Sequence, residues 1–134
     1  MNTNEICAQI IQNVEAALGC AVVDLNTGLL LGISHKIPYL TLSSLDIFAA
    51  TSVNMFRGRT VMTIEQMLSN IRGKEECMMI REIQMATENT YHFMATIPDK
   101  PNFLVVLVTN KKAHLGIGWS ILRQALPKIA PLCP

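Results

Sequence analysis

The stretch Phe103-Leu104-Val105-Val106-Leu107-Val108, FLVVLV, is apolar at every position. A half-exposed strand alternates apolar and polar residues, whereas a short continuous apolar run is a strand with both faces covered. FLVVLV therefore belongs at the centre of a sheet, with helices on each side or with a partner on one. Upstream, Cys77 to Ala86 and Thr90 to Ile97 read as two further strands. Turn-rich pieces, Thr87-Glu88-Asn89 and Pro98-Asp99-Lys100-Pro101-Asn102, join the three, and connections this short imply an antiparallel meander. Downstream, Leu115 to Leu126 is helical in its periodicity. Ile117, Trp119, Ile121, Leu122 and Ala125 point inward, Ser120, Arg123 and Gln124 point outward, and Pro127 and Pro131 mark the end.

The N-terminal half supplies the remaining elements. Asn2 followed by Glu5 forms a capping pattern before Ile6, Cys7, Ile10, Ile11, Val14, Ala17 and Leu18, which repeat at helical spacing. Gly19 is expected as the left-handed cap of that helix. A hairpin follows, with strands Cys20 to Asp24 and Leu29 to Ser34 around the turn Asn26-Thr27-Gly28. Ser43 and Asp46 open a second helix that Gly58 should stop. Between Asp46 and Arg57 no residue is charged. Leu45, Phe48, Ala49, Val53 and Phe56 form one apolar arc while Ile47 and Ala50 project from the opposite side, so two buried faces are expected. Thr63 with Gln66 predicts a short third helix through Ile71, ended by Gly73.

The chain of 134 residues and 14.8 kDa is expected to form one domain over residues 1–134. Half its residues are hydrophobic and 16% are charged, which excludes a disordered chain. A net charge of +1 is too small to gather nucleic acid or an anionic membrane, so neither is expected as a partner. No apolar run reaches membrane-spanning length, and the start MNTNEICAQII is not a secretory signal. Cys7, Cys20, Cys77 and Cys133 form no paired motif, which predicts reduced thiols in a cytoplasmic protein and neither metal nor cofactor. Eight methionines and many Ile and Leu leave an aliphatic surplus that favours self-association.

No catalytic constellation emerges. Cys77, His92 and Asp99 form a thiol site only if the sheet assembles them, and the preferred reading is a buried thiol, a strand histidine and a turn aspartate. His114 reads as a solvent-facing helix cap in preference to a partner contact. Gly116 and Gly118 lack the lysine and hydroxyl of a phosphate loop and the third glycine of a dinucleotide site, so close helix-to-sheet packing explains them better. Arg57 and Arg59 read as a polar helix end in preference to fingers delivered to another active site. Met62 and Met67 are the methionines to watch for a recognition role.

The order helix, hairpin, long helix, three-stranded meander, helix resembles the roadblock/dynein light chain family. FLVVLVTNKKAHLGIGWSILRQAL resembles the family's last strand, loop and terminal helix, with Ala113-His114-Leu115-Gly116 as its AxLG-type step, and GCAVVDLNTGLLLG resembles the first hairpin. The segment Gly58 to Glu76 is longer than the direct connection of compact members. The resemblance implies an α+β, roadblock/profilin-like sandwich with a five-stranded, largely antiparallel sheet flanked by helices. It also implies a non-enzymatic homodimer that binds a Ras-like small GTPase, with the third strand and the second helix paired across a two-fold axis. Combined with spacing, this places Ile47, Ala50, Met55, Met78, Met79, Ile80 and Ile83 in the dimer interface. A small-ligand sensor of profilin-like or PAS-like architecture, and an adaptor subunit of a larger complex, are the alternatives.

Overall fold

Asn2 caps the first helix as its spacing from Glu5 requires, its side-chain oxygen accepting the Glu5 N–H at 2.8 Å. In the computed structural model, which describes residues 1–134, helix α1 spans Thr3–Asn13 and buries Ile6, Cys7, Ile10 and Ile11. Strands β1 (Ala17–Asp24) and β2 (Leu30–His35) form the hairpin, and Gly28 takes the positive φ of 74° that its turn demands. Helices α2 (Leu42–Arg57) and α3 (Arg59–Arg72) follow, then the meander β3 (Glu82–Ala86), β4 (Thr90–Ile97) and β5 (Lys100–Asn110). Helix α4 (Leu115–Ile129) and a single 3₁₀ turn close the chain.

The five strands pair antiparallel throughout, in the order β2-β1-β5-β4-β3. The FLVVLV strand thus occupies the centre, and both of its faces are covered. Val105 and Leu107 join Cys20, Val22, Phe93, Ala95 and Ile97 in a core beneath α1 and α4. Leu104 and Val106 point the other way, to Val23, Met94 and the Ala49 and Phe56 side chains of α2. The architecture is the expected α+β sandwich, with two helices on one face and one on the other.

Several boundaries move for local reasons. The left-handed residue after α1 is Ala16 (φ 67°), and Gly19 lies inside β1, where a Cβ would stand 3.3 Å from that of His35. Thr41, not Ser43, caps α2, its hydroxyl accepting the Ser44 N–H at 3.1 Å. Gly58 separates α2 from α3 with an ordinary φ of −71°; a Cβ there would lie 2.3 Å from the Asn54 carbonyl oxygen. The third helix therefore starts four residues before Thr63, and it ends at the left-handed Gly73 as expected. Strand β3 begins at Glu82, because Met78 takes a φ of 50° that breaks the extended backbone of residues 77–81. Helix α4 continues through Pro127, which sits on its exposed side, and so outlasts the predicted stop.

The close packing expected of the glycines before α4 belongs to Gly118 alone. A Cβ on Gly118 would come within 2.8 Å of the Phe93 ring, which in turn packs edge-on against Trp119 at 5.4 Å. Gly116 faces only the His114 ring. Replacing Gly118 with Val should therefore lower the unfolding free energy by about 2–3 kcal/mol through overpacking. Gly116→Ala should be neutral or slightly stabilising, with urea denaturation separating the two outcomes.

Candidate interaction surface

The two edges of the sheet are treated differently. At the β2 edge the start of α1 takes up two of the outward backbone groups: the Ile33 N–H donates to Asn4 Oδ1 at 2.9 Å, and the Thr3 hydroxyl donates to the Leu31 carbonyl. Gly32 permits this approach, since a Cβ there would lie 2.6 Å from Thr3. At the opposite edge nothing pairs with the outer side of β3. Bonds from Thr96 N–H to the Arg81 carbonyl and from Thr87 N–H to the Thr90 carbonyl, both 2.9 Å, fix which residues turn toward β4. Arg81, Ile83, Met85 and Thr87 make the ladder, so Glu82, Gln84 and Ala86 direct their backbone N–H and C=O groups outward. Such a row is a template for another strand.

The β3 strand is held firmly behind that open edge. Glu82 receives two bonds from the Arg123 guanidinium, at 2.7 and 2.8 Å, and Gln84 accepts the Trp119 indole N–H at 2.6 Å. The Arg123 bonds hold the Glu82 carboxyl below its usual range. On the other face Ile83 packs into the α2 core.

Of the sequence-predicted contact residues, Ile47 and Ala50 lie on the outward side of α2, Ile47 being 67% exposed. Ser43, Thr51 and Asn54 complete that exposed surface, at whose flank Asp46, one turn from Ser43 and Ala50, is the one exposed charge. Met55, Ile80 and Ile83 come together as half-buried side chains against the core under α2. In a continuous strand from Cys77 to Ala86, Ile80 and Ile83 would face opposite sides; they reach the same core because residues 77–81 are not a strand. Met78 and Met79 are half-buried in that irregular segment, which α3 anchors: Glu65 Oε2 accepts the Met79 N–H at 2.8 Å, and the Ser69 hydroxyl accepts the Glu76 N–H at 2.7 Å. Met62 and Met67 are exposed on α3, none of whose residues is buried. The Thr3 and Asn4 seal of the β2 edge carries no sequence signal, because both residues read simply as the first turn of a helix.

The other residues with potential chemistry stay apart. Cys77 is exposed, not buried, and precedes β3, whereas His92 pairs with Met85 far along the ladder. Asp99 lies beyond the opposite end of β4, past Ile97, about 17 Å of strand from His92. His114 is a cap, its Nδ1 accepting the Ile117 N–H at 3.2 Å. Arg57 is pinned, donating to the Pro101 carbonyl at 2.7 Å, and burial pulls its pKa down. Arg59 is exposed. No group of three or more metal-ligating side chains is present, and no helix is long and apolar enough to cross a membrane.

No family model matches the sequence, and no curated protein resembles it closely enough to register. Solved structures do match. A Roadblock/LC7 domain from Streptomyces avermitilis superposes with a TM-score of 0.70 over 98% of this chain and 97% of that one, at 13% identity. The fold is that of the Roadblock/LC7 domain. MglB of Myxococcus xanthus matches with a TM-score of 0.71 at 13% identity, over 97% of this chain and 93% of its own. The gliding protein MglB of Thermus thermophilus gives 0.70 at 17%, over 96% and 85%. The roadblock fold is thus shared at identities where side chains at any surface have been largely replaced.

Burial of His92 pushes its imidazole pKa below the ordinary 6.5, because the charged ring loses hydration. The unfolded chain then binds the proton more readily, so this contribution is present above the ordinary value and is lost as pH falls below it. Urea denaturation should show lower stability at pH 5 than at pH 7.5, and His92→Phe should flatten that part of the profile.

Proposed function

We propose that the chain acts as a single-domain, non-enzymatic homodimeric regulator or scaffold that binds a Ras-like small GTPase and modulates its nucleotide cycle. The observation that carries the dimer is the open β3 edge beside a helix face that has no charge between Asp46 and Arg57. Antiparallel pairing of β3 with its copy about a two-fold axis near Gln84 satisfies the outward backbone groups of Glu82, Gln84 and Ala86 in both chains. The same operation can bring the two α2 helices together, and their small or uncharged outer residues, Ser43, Ala50, Thr51 and Asn54 around Ile47, permit close approach. Met55, Ile80 and Ile83 then lie between the strand pair and the helix pair. Met78 and Met79 adjoin them.

Support for the GTPase half comes from the roadblock fold and from the resemblance of the terminal strand, loop and helix to that family. Regulation requires only that the dimer bind one switch conformation of the GTPase better than the other; the size of the effect is bounded by that difference in affinity. The protein needs no reacting group of its own for this.

Two variants test the assembly. Ile47→Glu places a charge in the helix contact, and Ala86→Pro removes an N–H that β4 does not use. Light scattering across a dilution series should give a dimeric mass for the natural protein. Either variant should raise the dissociation constant at least tenfold while the circular dichroism spectrum stays native. A monomer at every concentration would sink the dimer. For the partner, each Ras-like GTPase of the source genome, loaded with GDP or a non-hydrolysable GTP analogue, is titrated against the protein by calorimetry. Nucleotide-dependent binding with altered GTP turnover or exchange is expected from one of them; no binding by any removes that half of the proposal.

A further inference from the structure

Helix α2 meets the sheet closely only along its second half, where Ala49, Ser52 and Phe56 are buried. Its first half stands away, and a cleft of ≈ 320 Å³ opens beneath it. The floor is the α2-facing side of the sheet, Ala21 and Val106 among it; Leu45 and Phe48 roof it, and Ile37 and Tyr39 of the β2–α2 connection form a wall. The small residues of β1 make the space, since Gly19 and Ala21 present almost no side chain where the neighbouring strands carry Val108 and Val106.

One row of the sheet crosses this floor. His35, Gly19, Val108 and His92 are successive cross-strand partners from β2 to β4, so their side chains share a face and the two imidazoles stand three strand spacings apart, about 14 Å. His35 Nδ1 accepts the Ile37 N–H at 3.1 Å, which places the ring proton on Nε2, and Nε2 has no partner within the chain. His92 Nε2 is bonded to the Thr90 hydroxyl at 2.9 Å, while its Nδ1 is buried and makes no hydrogen bond. An orphaned buried nitrogen is uncommon and calls for an explanation. No Lys, Arg, Asp or Glu lines the cleft.

We propose that this cleft is a binding site for a neutral, largely apolar small molecule bearing a hydroxyl group, held by the apolar walls and oriented by a hydrogen bond to one of the histidines that stand at the two ends of the floor. The volume falls at the lower end of known small-molecule sites. A hydroxyl suits either polar fixture, because it can accept from His35 Nε2–H at one end of the floor or pair with the unpaired nitrogen of His92, after a small rotation of the ring, at the other; the ~14 Å between the imidazoles lets a single hydroxyl meet only one of them. Carboxylates and phosphates are disfavoured, since an anion entering here loses hydration and meets no cation. The site lies on the inner side of α2, opposite Ile47, and does not depend on the dimer or on a GTPase.

The test uses three probes on one skeleton: p-cresol, toluene, which lacks the hydroxyl, and p-toluate, which carries a charge. Each is titrated into the natural protein and His92→Phe while methyl resonances are followed by NMR. Shifts confined to Ala21, Val106, Val108 and Leu45 are expected with p-cresol. Toluene should bind about fivefold more weakly, as expected for the loss of a hydrogen bond, and p-toluate should not bind. His92→Phe and His35→Phe are both titrated, and the one that removes the imidazole met by the hydroxyl should reduce the preference for p-cresol over toluene. Ala21→Leu, which fills the floor, should abolish the shifts. Absence of shifts with both neutral probes, equal binding of p-toluate, or an unchanged preference in both histidine variants would overturn the proposal.

Discussion

A strand that is apolar on both faces cannot lie against water on either, and β5 imposes that condition on everything around it. With Val105 and Leu107 on one side and Leu104 and Val106 on the other, all essentially buried, the chain has to supply two covering layers. Helices α1 and α4 furnish the first, and α2 furnishes the second. The order β2-β1-β5-β4-β3 follows, because a central strand needs neighbours on both edges and the short hairpin and meander connections can deliver them only in antiparallel fashion. The glycine at 118 belongs to the same constraint. Bringing α4 close enough to seal β4 and β5 leaves no room for a side chain above Phe93.

The covering is uneven, and the unevenness is where interaction becomes possible. The two-helix layer is tight, and it buries the larger core. The one-helix layer contacts the sheet firmly only through the second half of α2, leaving a cleft under its first half and, on its outside, a surface without charge from Ile47 to Asn54. Helix α3 adds no apolar cover to this layer, being attached chiefly by the polar contacts of Glu65 and Ser69 to the segment before β3. The edge strand itself is fixed from the α4 side, through Trp119 and Arg123, so that its free backbone groups stand in a rigid row.

Much of this is legible in the sequence because it depends on local pattern. The unbroken apolar run of 103–108 marks a central strand, the Asn2 and Glu5 spacing marks a capped helix, and the lack of charge between Asp46 and Arg57 marks a helix with an unusual outer face. The departures share a different cause. Gly58 stops α2 as its spacing requires, but Gly19, with the same spacing of a helix stop, is small because His35 of the neighbouring strand passes close by, which is a packing requirement that sequence spacing does not encode. The segment Cys77 to Arg81 has strand composition, but the left-handed Met78 and the hold of Glu65 on Met79 override propensity there. For the candidate surface, the outward placement of Ile47 and Ala50 follows from helical phase alone. The meeting of Ile80 with Ile83 and the cleft beneath Leu45 depend on how distant elements stack, and no periodicity reports that.

The seal of Thr3 and Asn4 across β2 sets the valence of the molecule. A sheet with two free edges joins copies head to tail without limit, and its growth ends only in a fibre. With one margin occupied by the chain's own N-terminal turn, sheet extension through backbone bonds has a single place to start, and a symmetric pair consumes both starting points at once. If copies pair through β3 as proposed, association by this route stops at two. Loosening that N-terminal turn would therefore alter the stoichiometry of assembly without changing any residue of the opposite edge.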